Sequence, residues 1–340
     1  MHLKLPVFCT LIACLLMGDP CFGQSIPKEK RAEVAFEIRM DKLRGTPIYA
    51  MIEQNARMVQ SESGLDSDID FEKVVRVWGA VQLPEAVDDF KAMEDLEPGS
   101  ALPMELFMSV EFADAETATQ AMDELKEQSK EVQVDGKTYY APTDSADMPS
   151  NMLGHMVNST TIQYGTSDYL NIGAGPNVFS SGLTNAWNGV ADDAIRIALD
   201  LDNARSLIDE LMADARASAP PMMGGMFDLV NKTSNLGLAM DFKDGGNLLS
   251  LMFNGADDEA AEELRGGLDG MLAMAKLFGG QAVEEMRQQD EGMADTMSSI
   301  LRSLSAKRDG SRVDIVIPKP DGFEDTLKSL MQMGGVGNNF

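Results

Sequence analysis

The chain has 340 residues, a formal net charge of −27 and 44% hydrophobic residues, enough for two ordinary cores. Its 55 Asp and Glu against 28 Lys and Arg, with no basic cluster, argue against nucleic acid or anionic lipid as partners. Cys9, Cys14 and Cys21 all fall in the first 23 residues, so a chain cleaved there carries no disulfide, thiol nucleophile or Cys-ligated metal.

Residues 1–23 read as a secretory signal peptide. Lys4 and the amino terminus are positive, the apolar run 5–17 is too short to span a bilayer, and Gly18-Asp19-Pro20 breaks it. Cys21 and Gly23 then stand at −3 and −1 of a cut before Gln24. Leu11-Ile12-Ala13-Cys14 also fits a lipobox, which would anchor the chain through Cys14, but it strands Leu15-Leu16-Met17 on the mature end. Simple cleavage is the preferred expectation. It implies an exported protein, periplasmic or extracellular, with no transmembrane helix after cleavage.

From residue 34 the chain alternates. Val34, Phe36, Ile38 and Met40 oppose Glu37, Arg39 and Asp41, the two-residue period of a half-buried strand, and a helical stretch follows. Asp66, Asp68, Asp70 and Glu72 then give D-x-D-x-D-x-E in a Ser-rich loop, hard oxygen ligands at a spacing that can hold Ca²⁺. Phe71 replaces the EF-hand glycine and Val77 stands where its last Glu belongs, so a solvated acidic loop is the preferred reading and no cofactor is expected. A second strand carries Val75, Val77, Val81 and Leu83. The third carries Leu106, Met108, Val110 and Phe112, and Ala118, Ala121, Met122 and Leu125 follow at helical spacing behind the N-cap candidate Asp114. A strand pattern over 132–140 turns at Asp135-Gly136. A helix near 148–157, a hairpin joining 161–164 to 169–172, and a linker over 173–190 complete the first unit, residues 24–188.

The second unit, residues 189–340, repeats this order. Ile195, Ile197, Leu199 and Leu201 form its first strand; Leu236, Leu238, Met240 and Phe242 its second. Asp244-Gly245-Gly246 turns the second into a third over 248–253. Ile38, Ile48 and Ile52 map onto Ile197, Leu207 and Leu211 at a shift of 159. Ala113-Asp114, Glu116 and Ala118 map onto Ala256-Asp257, Glu259 and Ala261 at a shift of 143. Helical periodicity over 257–306 reads as two helices broken at Gly279-Gly280, and a strand over 312–317 follows Asp309-Gly310. The fold class expected is α+β: two tandem ferredoxin-like (βαββαβ) halves with antiparallel sheets and helices on one face. This duplicated layout, the exported start and residues 169–175 leading into 176–183 resemble uncharacterised exported bacterial proteins classed as domains of unknown function. The resemblance implies no catalytic residues.

Few side chains suit chemistry. His155 is the one histidine left after cleavage and sits among Met and apolar neighbours; no G-x-S-x-G surrounds a serine. Gly173-Ala174-Gly175 lacks the third glycine of a dinucleotide fingerprint. Met222, Met223, Met226, Met293 and Met297 offer thioethers for Cu(I) but read as core or groove fillers. A non-catalytic binding or envelope-structural module is therefore expected, with a carboxylate- or metal-dependent extracellular hydrolase as the alternative. The sheet face opposite the helices should carry Glu37, Arg39, Arg76, Gln82, Glu105, Ser109 and Glu111, yet Trp78 and Phe107 share its parity. Two large aromatics on a polar face mean burial against the second half, the preferred expectation, or a surface for a protein or apolar ligand.

Overall fold

A computed structural model of the chain describes residues 32–63, 70–84, 86–92, 100–134, 136–143, 149–171, 178–218, 224–243 and 245–333. The leader 1–23, Asp66, Asp68, Gly173–Gly175 and the Met222-Met223 pair lie outside these residues. In chain order the first elements are β1 (Val34–Arg39), α1 (Met40–Leu43), α2 (Pro47–Ser63), β2 (Val74–Gln82), α3 (Val87–Ala92), β3 (Glu105–Phe112) and α4 (Ala115–Glu127). Two hairpins follow, β4 (Ser129–Val134) with β5 (Lys137–Pro142) and β6 (Met152–Asn158) with β7 (Thr161–Thr166), then α5 (Ser167–Asn171) and α6 (Ser181–Gly189). The remainder is β8 (Ile195–Asp200), α7 (Arg205–Ser218), α8 (Gly224–Lys232), β9 (Thr233–Met240), β10 (Asn247–Gly255), α9 (Asp258–Arg287), α10 (Glu291–Ser303), β11 (Ala306–Asp309), β12 (Arg312–Pro318) and α11 (Phe323–Met333).

The strands form one antiparallel sheet of twelve, ordered β11-β12-β10-β9-β8-β1-β2-β3-β7-β6-β5-β4. The α+β class holds, but the split order does not. A ferredoxin-like half inserts its third strand between its first two, whereas β1 and β2 here pair directly, as do β8 and β9. Alternation reveals which residues share a face, and strand order depends on where each connection lands.

The two runs of strands meet at β1 and β8. Phe36 faces Ile197 and Ile38 faces Ile195, so the shift of 159 exchanges the two pairs. Glu37 and Arg196, themselves 159 apart, face each other at the centre of that exchange.

One face of the sheet takes the main helices. Ala261, Leu264 and Leu268 of α9 pack on Val313, Ile315 and Ile317, while Leu125 of α4 lies so close to Gly154 that a Cβ there would sit 2.5 Å from it. N-caps start these helices: Asp114 accepts from Thr117 N at 2.9 Å and Asp257 from Ala260 N at 2.8 Å.

The opposite face is covered as well, and here the structure corrects several expectations. Residues 178–190, read as linker, hold buried Val178 and Phe179 and the helix α6. Gly237 on β9 meets α6 so closely that a Cβ would lie 2.6 Å from Val190 and 3.0 Å from the Ala186 carbonyl. Residues 152–158 form a strand paired with 161–166, not a helix; their largely apolar run carries no period that separates the two. The hairpin partner of β7 is therefore β6, and Tyr169 belongs to α5. Helix α9 also runs through Gly279-Gly280 to Arg287. Gly279 allows close approach, since a Cβ would lie 2.9 Å from the Leu301 side chain, and the break comes where Asp290 caps α10 by accepting from Met293 N.

Candidate binding cleft

Trp78 and Phe107 are 2% and 0% exposed, so neither forms a partner surface. Their rings pack edge to face at 4.9 Å; Trp78 meets Phe179 at 6.3 Å, and Phe179 meets Trp187 at 5.6 Å. The cover comes from residues 178–187 rather than from the strands of the second half, because the two runs of strands join edge to edge in one sheet and leave neither face to the other. Beneath this cover Glu37 is fully buried, accepting from Arg76 Nε at 2.5 Å and from Arg196 at 2.7 Å. Arg196 also stacks on Trp187 with its guanidinium carbon 3.8 Å from the ring centroid.

At one end of the same face the strand registers align a polar row. Glu105 faces Gln82 and Asp200 faces Asn235; Asn235 faces Asn254, which faces Arg312. Glu33 joins the two groups just before β1: its N–H donates to the Val81 carbonyl and its carbonyl accepts from Asp200 N. Its carboxylate accepts from Leu83 N at 2.9 Å, and burial pushes its pKa up to about 7. Tyr169 donates to Gln82 Oε1 at 3.3 Å, and burial raises its phenol.

The second-half portion of the row opens into a cleft of about 800 Å³ between the start of α6 and the ends of β8, β9, β10 and β12. Asp200, 4% exposed, forms its floor. Ser180 donates to one of its oxygens, and Asn203 donates through its amide at 3.0 Å and its backbone N–H at 3.2 Å. Ser180 also caps α6 by accepting from Leu183 N at 2.9 Å. The helix can come this close because residue 182 is glycine; a Cβ would lie 2.6 Å from Asp200 Oδ2. Further along, Asn254 donates to Asn235 Oδ1 at 2.6 Å, and Arg312 Nε donates to both Asp314 oxygens at 2.7 and 2.8 Å.

The other sequence candidates lie elsewhere. Asp70 accepts from Glu72 N at 3.0 Å as the cap of a short 3₁₀ turn, and no group of three or more potential metal ligands occurs among the described residues. His155 packs on Tyr139 on β6, its Nδ1 buried without a hydrogen-bond partner among the described residues, and burial lowers its pKa to about 4. Met293 is core. Asn235, Asn254 and Arg312 were missed because each is an ordinary polar residue in its own strand, and only cross-strand register brings them together. Asp200 is likewise a polar position in an alternating strand pattern, and nothing local marks it as the floor of a cleft.

No helix among the described residues is long and apolar enough to cross a membrane. No family model matches the chain, and no curated protein does. Among solved structures, three crystal forms of TP0453 are similar to it. Form IV shares 9% identity at a TM-score of 0.41 over 90% of this chain and 97% of that one. Form III shares 8% at 0.41 over 92% and 97%, and form I 10% at 0.39 over 91% and 98%.

Proposed function

We propose that this chain is an exported, non-catalytic binding protein, fused from two copies of one strand-and-helix design, that holds a small polar ligand in the cleft at Asp200, Asn235, Asn254 and Arg312. The observation that carries the reading is the in-register polar row ending in a cavity of ligand size. Duplication is supported by the exchange of pairs between β1 and β8 under the 159-residue shift. Export rests on the leader pattern of residues 1–23. Binding is favoured over hydrolysis because the cleft carboxylates are already engaged: Asp200 by Ser180 and Asn203, Asp202 by Arg205 at 3.0 Å. Ser180, the cleft hydroxyl bonded to a carboxylate, is buried as a helix cap, and His155 is not among the lining residues.

Fragment screening by side-chain amide NMR tests this reading. Small polar fragments should shift the Asn235 and Asn254 amide signals first. Fragments that gather elsewhere and leave these signals unmoved would remove the cleft as the binding site.

A further inference from the structure

Resting on that reading, the geometry points to a neutral, polyhydroxylated ligand, a short saccharide of two or three rings, as what the cleft accepts. The first argument is charge. Each ionised group at the cleft already has its counter-group or its donors: Asp200 has Ser180 and Asn203, Asp202 has Arg205, and Arg312 has Asp314. A charged ligand would find no unpaired opposite charge, and the net charge of −27 further disfavours an anion.

The second argument is the kind of polar group left free. Asn254 spends an amide hydrogen on Asn235 Oδ1, which leaves Asn254 Oδ1 as an acceptor and Asn235 Nδ2 as a donor, side by side on adjacent strands. Asn185 and the hydroxyls of Ser181 and Ser311 add groups able to donate and accept. A ligand hydroxyl also does both, so adjacent hydroxyls on a sugar ring match a paired amide donor and acceptor. Ligands lacking those hydroxyls would leave the amides of buried Asn235 and part-buried Asn254 unpaired.

The third argument is length. From Asp200 to Arg312 the row crosses three strand intervals, roughly 14 Å at the usual antiparallel spacing. One interval approximates the length of one hexose along a glycan, so successive rings can meet successive strands. Ala256, exposed at the rim of the cleft, supplies apolar surface for the C–H face of a ring.

The test uses the full mature chain with maltotriose, cellotriose and tri-N-acetylchitotriose as neutral probes, and triglycine and citrate as charged ones. Binding is read by calorimetry and by the Asn235 and Asn254 amide signals. At least one trisaccharide should bind and move both signals, and Asn254→Ala should weaken it at least tenfold. Asn185→Ala, at an exposed helix position where folding is not at stake, should weaken it severalfold. If triglycine or citrate moves the amides and no saccharide does, the ligand class is wrong while the cleft stands. If none of the five probes moves them, both this inference and the binding reading fall.

Discussion

Replacing Glu37 by Gln keeps the side chain's shape and removes its charge, at the point where the two runs of strands join. In the native protein this fully buried carboxylate holds Arg76 and Arg196, whose side chains are 16% and 13% exposed. Gln can still accept one hydrogen bond through Oε1, but its amide cannot accept from the second guanidinium, and two cations remain with no anion between them. Removing one partner of a buried ion pair costs about 3–5 kcal/mol; the retained acceptor places this variant near the lower end, about 3 kcal/mol. Urea unfolding should show a lower midpoint at an unchanged slope, since the surface exposed on unfolding stays the same. Arg196→Met should cost much less in the Glu37→Gln background than alone, a coupling of about 1 kcal/mol or more. Lys126→Gln is the control, because its pair with Asp123 is 41% and 59% exposed and should be worth less than about 0.5 kcal/mol. A Glu37→Gln protein within about 0.5 kcal/mol of wild type would refute the assignment of the junction's stability to this triad.

Trp78→Ala should destabilise by about 3–5 kcal/mol, as truncation of a buried aromatic does, whereas Trp78→Phe should cost far less, because the buried Nε1 has no hydrogen-bond partner among the described residues. Equal losses for the two variants in urea unfolding would contradict this account of the site. Glu33 makes stability depend on pH: the folded state holds its proton more tightly than the unfolded chain, so its stabilising effect is present below about 4.5 and lost as pH rises to about 7. The stability of wild type relative to Glu33→Gln should therefore fall across that window by up to about 3 kcal/mol, and a flat difference curve would rule out the buried carboxylate. His155 works in the opposite sense. Its lowered pKa gives stability present above about 6.5 and lost as pH falls toward 4, so wild type relative to His155→Phe should gain stability as pH rises through that range, and thermal melts at stepped pH would expose the reverse trend.

The strands that alternate cleanly, β1, β2, β3, β8 and β9, could be read from the chain because a half-buried strand must place its apolar residues at a period of two. Helices α4 and α9 announced themselves through Asp114 and Asp257, whose side chains satisfy N–H groups that no helix can satisfy itself. The parity that set Glu37, Arg76 and Trp78 on one face was also a local property and holds in the structure. What covers that face was not local. Residues 178–189 carry glycines and a short helix that look like a linker in isolation, and they become core only because Gly182, Gly189 and Gly237 let α6 settle against Asp200, Met252 and β9. The junction and the cleft depend on the same kind of information. Glu37 meets Arg196 across 159 residues, and Asp200, Asn235, Asn254 and Arg312 become neighbours only once four strands are in register. Period along a chain reports which way each side chain points; it carries no information about which strand lies beside which, because that is settled by where the connections land and by which polar groups find partners when the faces close.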